Sequence, residues 1–448
     1  MTRACCILLC IVWSTALVGA QYTDPAAGPP LTLAQLEEMA LANNPTVRQA
    51  RAGVDAARGR ARQAGAWPNP VVGYAGEEIA RGETIRWGEH GAFAEQAILL
   101  GGKLRLSRAV FEQEIAQAEA LQDMQRLRIV SSIRTVFYDV LTTERRIGVL
   151  ERLAQLVTEA VTVSRQLFNV GAADRPDVLT SEIDARRVQL VVTAARNELN
   201  AARWQLAALV GDSGVASRTL AGSIDEAIPE LEREATIRAL IEQSPQVRAA
   251  RASEERAGAV VARARREPYP NLFLRGGFAY NRELLETGAG GRPRPVGWEG
   301  QAEVGIGVPL FNRNQGGIAA ARADETRAQG ERRRLELDLQ SRAATVFDEY
   351  LTALRAVEAY RDEIVPMAEE AYRLYLARYR EMGAAYPQVL VAQRTLFELT
   401  SQYLTSVEDA WRAALRLQGF LVGGGLEAPA LAGAEIEVSN RVMSGGAR

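Results

Sequence analysis

Apolar residues recur at helical spacing over most of the chain and at strand spacing over two short windows. From about Thr32 to Ala66, one stripe is kept apolar by Leu33, Leu36, Met39, Ala40, Val47, Ala50, Val54 and Ala57, which predicts a helix. Trp67-Pro68-Asn69-Pro70 ends it, because proline lacks the amide proton and restricts the residue before it. Two strands are then expected, about Val71 to Glu78 and Ala92 to Leu100, around a glycine-rich polar loop that holds His90. Later in the chain the alternation is clearer. Leu272, Leu274, Phe278 and Tyr280 alternate with Phe273, Arg275, Gly277, Ala279 and Asn281, and Ala302, Val304, Ile306 and Val308 alternate with Gln301, Glu303, Gly305 and Gly307. One face of each strand is apolar and the other small or polar. In the first pair Glu95 falls on the face expected to be apolar.

After Gly101-Gly102 a helical pattern runs unbroken to Val170, and after Phe311-Asn-Arg-Asn-Gln-Gly316 a second runs to Met382. At 1.5 Å per residue each spans roughly 100 Å, too long for a compact domain. The flanking patterns, Thr32 to Ala66 and Pro176 to Val210, are about half as long, so two stacked end to end would match one long helix. Pro366 should kink the second long helix.

The two windows are copies of one unit. Asn44-Pro45-Thr-Val47-Arg48 returns as Ser244-Pro245-Gln-Val247-Arg248, Trp67-Pro68-Asn69 as Tyr269-Pro270-Asn271, and Phe137 with Leu141-Thr142 as Phe347 with Leu351-Thr352. The turn Gly171-Ala-Ala-Asp-Arg-Pro-Asp-Val-Leu179 returns one residue shorter as Gly383-Ala-Ala-Tyr-Pro-Gln-Val-Leu390. In each turn a glycine closes one helix and a proline opens the next. The expected division is a signal peptide over 1–20, a first repeat over 21–220, a second over 221–422 and a flexible tail over 423–448.

Strands of this length with one apolar face suit a membrane β-barrel, yet four strands cannot close one and lipid tolerates no open sheet edge. Two chains would give eight strands, whose side chains fill the lumen; three give twelve and leave a channel. The strands therefore argue for a ring of at least three chains, in a fold that is mainly α with a membrane β-barrel portion, a tandem structural repeat with four β-strands per chain.

Composition narrows the chemistry. The N-terminus reads as a secretory signal, with Arg3, an apolar run from Ile7 to Leu17 and small residues at Val18-Gly19-Ala20. Cys5, Cys6 and Cys10 all fall inside it, so a mature chain would have neither disulfides nor thiol chemistry. Leu9 before Cys10 does not suit a lipid-attachment site. With 53 basic and 55 acidic side chains, nothing points to nucleic acid. Lys103 is the sole lysine and His90 the sole histidine. No phosphate loop, cysteine nucleophile or acid-base set is present, so neither an enzyme nor a cofactor is expected, and Gly305-Ile-Gly307 sits in a strand pattern without the helix a dinucleotide site needs. His90 beside Glu89, with Glu77, Glu78 and Glu83 nearby, reads as part of a solvated loop, and no metal site is expected. The arginine runs Arg263 to Arg266 and Arg332 to Arg334 read as solvated helix faces.

Together the Asn/Ser-Pro helix starts, the Trp/Tyr-Pro-Asn strand entries, the Gly-Gly-Lys after the second strand and both Gly-to-Val-Leu turns resemble the TolC-type family of outer-membrane efflux channels, from Leu31 to about Leu421. The resemblance implies a homotrimer in outer-membrane lipid, its 12-stranded β-barrel continued by a long α-helical barrel, with most of the chain in the periplasm of a Gram-negative bacterium. It also implies a periplasmic membrane-fusion adaptor and an inner-membrane pump of resistance-nodulation-division type. Trp67-Pro-Asn-Pro70 with Leu99-Leu-Gly-Gly-Lys103 looks most like the heavy-metal and cation branch. Export of drugs, small molecules or proteins by the same architecture is the rival, and a periplasmic coiled-coil scaffold a further one. By the same resemblance the two turns form a periplasmic tip that contacts the adaptor, through Gly171, Asp174, Pro176, Asp177 and Leu179 in one copy and Gly383, Tyr386, Pro387, Gln388 and Leu390 in the other. Asp174 and Asp177 admit two readings, an acidic ring that gates cations or a helix cap. Arg275, Gln301 and Glu303 are expected on the lumen side of the strands.

Overall fold

A computed structural model describes residues 29–78, 88–171, 174–224, 227–285, 292–381 and 386–432. The first repeat opens with a two-residue strand β1 (Leu31–Thr32), followed by α1 (Leu33–Asn43), α2 (Pro45–Ala64), β2 (Val71–Glu77), β3 (Glu89–Ile98), α3 (Lys103–Asn169) and α4 (Arg175–Val210). After β4 (Leu220–Ala221), which pairs parallel with β1, the second repeat runs α5 (Arg233–Glu242), α6 (Pro245–Ala264), β5 (Leu272–Leu285), β6 (Arg294–Ile306), α7 (Gln315–Ala359), α8 (Val365–Arg380) and α9 (Tyr386–Gln418).

The pattern expected as one helix from Thr32 to Ala66 is two. Pro45 has no amide proton to give to the preceding turn, and Asn44 stands in extended backbone between α1 and α2. Its carboxamide oxygen accepts from the Thr46 amide at 2.9 Å, while its Nδ2 donates to the Leu209 carbonyl of α4 at 2.8 Å. The break therefore doubles as the joint where α2 meets the end of α4, the end-to-end stacking that the helix lengths implied. Ser244 caps α6 in the same way before Pro245.

The 67 residues of α3 form one uninterrupted helix. Its counterpart is continuous from Gln315 to Arg380 but contains a π-turn at Tyr360–Ile364, between α7 and α8. The widened turn sits just before Pro366, whose missing donor makes the regular ladder untenable there, so the disturbance expected at the proline falls a turn earlier.

The helices form a wall one layer thick. In the half near the strands α2 packs on α3, α3 on α6 and α6 on α7; in the other half α4 packs on α3, α3 on α9, and α9 on α7 and α8. The main core lies at mid-height, where Ile129, Ile133, Phe137 and Val140 of α3 meet Leu36 of α1, Leu206 and Val210 of α4, and Leu404 and Trp411 of α9. Tyr138 stacks on Trp411 with ring centroids 3.9 Å apart. The second core is the repeat's image: Phe347 and Tyr350 of α7 pack with Leu240 of α5 and Ala413, Ala414 and Leu417 of α9. Residues 423–432, expected within a flexible tail, lie across α2 and α3. There the Gln125 amide donates to the Glu427 carbonyl at 3.3 Å, Ser132 Oγ accepts from the Gly425 amide, and Ala432 packs against the small cluster of Val54, Ala57 and Ala118.

Between the repeats a carboxylate is buried among arginines. Glu114 of α3, 1% exposed, takes Arg60 of α2 at 2.6 Å on one oxygen and Arg256 of α6 at 2.9 Å on the other. Removing one partner of a buried pair leaves a charge without compensation, whereas an apolar pair of similar volume does not. Glu114→Ala is expected to cost roughly 3–5 kcal/mol in thermal or denaturant unfolding, and Glu114→Leu with Arg256→Met to recover most of the loss.

Candidate functional site: two helix tips and an open-edged sheet

At one end of the wall the chain turns twice. Gly171 closes α3 at φ 75°, a conformation that glycine reaches without a Cβ clash, and its amide donates to the Phe168 carbonyl at 3.0 Å. Asp174 is the N-cap of α4; its amide donates to the Asp177 carboxylate at 3.2 Å in a capping box, with Pro176 in the first turn. Asp174, Pro176, Asp177 and Leu179 are exposed, while Val178 is buried against the hairpin. The second turn repeats this at the start of α9: Pro387 and Gln388 are exposed, Val389 is buried and Leu390 half-buried. Tyr386 is the first residue of α9, and Gly383 lies outside the described residues. The Asp177 carboxylate thus fills the Asp174 amide at the positive end of the helix dipole, and Asp174 holds the N-cap position.

Ion pairs that sequence spacing could not foretell join the hairpins. Arg165 of α3 reaches Glu182 of α4 with bonds of 3.1 and 2.7 Å, and that hydrogen bonding holds the Glu182 carboxyl below its ordinary range. Asp184 of α4 accepts from Arg394 of α9, tying the first tip to the second. Beside the second tip, Ala368, Ala371, Tyr375, Pro387, Val391 and Thr395 line a groove of about 410 Å³ between α8 and α9.

At the other end stands a four-stranded antiparallel sheet in the order β2-β3-β5-β6. Its register places Glu95 opposite Arg275 and Arg275 opposite Glu303, with Gln301 on the same face. Glu95 therefore belongs to the polar face, not the apolar one. Alternation separates the two faces of β3 without saying which is apolar, and Phe93 shares the polar face with Glu95. Phe93 instead underlies the Arg275 guanidinium, which sits 4.4 Å from its ring centroid. Glu77, Glu89 and Glu299 share this face and were missed; the period-two run Glu89, Gly91, Phe93, Glu95 was their signal.

The opposite face carries Val72, Tyr74, Leu274, Phe278, Trp298, Val304 and Ile306, all exposed in the single chain. Phe278 and Tyr280 pack on Trp298 with ring centroids 5.7 and 5.5 Å away. His90, expected in a loop, is in β3 on this face and hydrogen-bonds Tyr74. Glu83 lies outside the described residues. Nearer the helices Trp67, Tyr269 and Phe311 are also exposed. An apolar band bounded by aromatic residues at both ends is the outward surface of an outer-membrane strand. Among the described residues no helix is long and apolar enough to cross a membrane.

The profile of the family described as outer membrane efflux protein matches residues 36–212 and 236–422, one segment in each copy of the repeat. The chain belongs to the outer membrane efflux protein family. Its place is the outer membrane of a Gram-negative bacterium, with the long helices in the periplasm, and its family is one of transport channels rather than enzymes. The chain is 25% identical over 406 residues to the cobalt-zinc-cadmium resistance protein CzcC of Cupriavidus metallidurans, covering 89% of this chain and 92% of that one. It is 25% identical over 345 residues to the nickel-cobalt-cadmium resistance protein NccC of Alcaligenes xylosoxydans xylosoxydans, covering 75% and 74%. The fold is also that of the outer membrane protein VceC of Vibrio cholerae, at a TM-score of 0.69 and 22% identity, covering 88% of this chain and 96% of that one.

Loss of an N-cap acid costs a helix about 1 kcal/mol. Asp174→Ala with Asp177→Ala is expected to raise amide hydrogen exchange about fivefold over 175–178, leaving mid-height residues such as Ile133 unchanged; unchanged exchange at the tip would show that the box does not hold α4.

Proposed function

We propose that the chain is the exit duct of a tripartite system that expels metal cations. Three copies close a 12-stranded barrel over a helical tube, a periplasmic membrane-fusion adaptor engages the helix tips, and an inner-membrane pump of resistance-nodulation-division type supplies the energy. The observation that carries the duct is the sheet of four strands, apolar on one face, polar on the other and unpaired at both edges, set on helices of roughly 100 Å. Such edges are not stable in lipid and require other copies. A periplasmic scaffold would have no use for that apolar face.

Two observations favour metal cations over drugs or proteins as cargo. Both curated relatives named above are metal-resistance proteins. In the regularly paired part of the sheet the polar face carries Glu77, Glu89, Glu95, Glu299 and Glu303 against Arg275, an acidic lining that favours cations. On this reading Arg275, Gln301 and Glu303 face the lumen, and the tip residues from Gly171 to Leu179 and Gly383 to Leu390 meet the adaptor. Asp174 and Asp177 would form an acidic ring at the tube's narrow end while capping α4.

Deleting the gene is expected to lower tolerance to zinc, cobalt and cadmium several-fold and to leave tolerance to unrelated drugs unchanged; the reverse pattern would reassign the cargo. Outer membranes should hold a species of three times the chain's mass that persists in detergent until boiled. Asparagine caps helices about as well as aspartate but carries no charge. Asp174→Asn with Asp177→Asn is therefore expected to reduce cation preference in single-channel recordings, and unchanged preference would leave both acids as caps alone.

A further inference from the structure

Arg275 does not sit on the carboxylates beside it. Register sets it on β5 directly between Glu95 of β3 and Glu303 of β6, with all three on the polar face. Opposed Cβ atoms in antiparallel pairs lie about 4.5–5.5 Å apart, within easy reach of an arginine. Yet among the described residues no arginine comes within ion-pair distance of Glu95 or Glu303. The Arg275 guanidinium lies instead over the Phe93 ring of β3, 4.4 Å from its centroid and one polar-face position along the sheet from Glu95. Its Nε is shielded from solvent and meets no acceptor, as fits a guanidinium laid on a ring rather than aimed at a carboxylate. Local sequence makes room for that arrangement. Phe93 has glycine opposite it on both neighbouring strands, Gly73 on β2 and Gly277 on β5, so no directly opposed side chain crowds the ring. The ring fills the space over Gly73, where a Cβ would stand 2.7 Å from it. A stacked guanidinium and an exposed ion pair are of comparable strength, so the surroundings decide between them. Here the aromatic partner prevails.

We infer, on the reading that the polar face lines the lumen, that Phe93 is a specificity-determining residue of the duct: it parks Arg275 and so leaves the Glu95 and Glu303 carboxylates unneutralised for passing cations. Phe93 carries no charge of its own. It acts on where a positive charge stands. Without the ring, Arg275 falls back between Glu95 and Glu303, and each copy presents a salt-bridged set where it had bare carboxylates. Net charge is the same in both arrangements, so the difference is felt only where salt screens the groups from one another. At 0.1 M ionic strength the Debye length is about 10 Å, close to the two strand spacings of about 4.8 Å that separate β3 from β6. At 0.01 M it is about 30 Å, and an ion senses the wall as a whole.

Reversal potentials of the full chain in planar bilayers, under a potassium chloride gradient centred near 0.1 M where the Debye length is about 10 Å, read the preference. Phe93→Leu is expected to lower the cation-to-anion permeability ratio roughly twofold, and Phe93→Tyr, which keeps a ring, to preserve it. Gly73→Ala places a Cβ against the ring and displaces it without removing it. It should act in the same direction as Phe93→Leu, and it decides the matter if that variant does not fold. Arg275→Gln should raise the ratio, and Phe93→Leu added to Arg275→Gln should change nothing further, because the charge to be misplaced is gone. A Phe93→Leu effect equally large with and without Arg275 overturns the role of Phe93. So does the absence of any effect from Phe93→Leu and Gly73→Ala while Arg275→Gln acts. If Arg275→Gln and Glu303→Gln both leave the ratio at the parent value, the polar face does not line the conduction path, and the lumen reading itself falls.

Discussion

Backbone hydrogen bonding in a solvent that offers none governs the architecture. A sheet of four strands leaves the amides and carbonyls of β2 and β6 unpaired, and in lipid each unpaired group costs several kcal/mol. Closure is the remedy, and closure with this apolar outer face and polar inner face fixes which side is wet. The helices follow from the same demand. A wall one helix thick, with α3 running its whole height, has no large interior of its own, and on the proposed trimer reading it becomes a tube where its edges meet other copies.

Height is controlled by caps rather than by hydrophobicity. Asn44 and Ser244 break the short helices at prolines, and Asn44 also ties its break to the end of α4. The stacked α2 and α4 thereby keep step with α3. In the second repeat the π-turn at Tyr360–Ile364 absorbs the proline without breaking the column. Between the columns, charge does work that apolar residues do elsewhere. The helices are rich in alanine, which buries little area, and buried or half-buried arginine-carboxylate sets such as Arg60–Glu114–Arg256 and Arg146–Glu408 hold neighbouring helices in register.

The duplication repeats one design, but the copies have diverged. The first tip carries Asp174 and Asp177 where the second has Tyr386 and Gln388. Chemistry concentrated in one copy becomes threefold, not sixfold, in a trimer of this chain. The glutamates of the polar sheet face come from strands of both copies and do not share that asymmetry.

Patterns local to the chain were legible in the sequence. Strand and helix periods, the prolines, the glycine that closes α3 and the spacing of the duplicate motifs specify a repeated helix, strand-pair, long-helix unit, because each depends on residues within a turn or a strand. Arg275, Gln301 and Glu303 could be placed on one face for the same reason. What lay between elements could not be read. Glu95 was set on the wrong face because alternation divides a strand into two faces without saying which of them is apolar; only pairing with β5 settles it. His90 moved from loop to strand because β3 begins at Glu89, earlier than the alternation indicated. The pairing of Arg394 with Asp184, and of Glu114 with arginines from both repeats, joins residues far apart in the chain, and helical periodicity says which residues are polar but not which polar residues meet. The sequence by itself determined the unit and its repetition; only the tertiary structure decided register, because register is set by contacts between segments that carry no mark of one another.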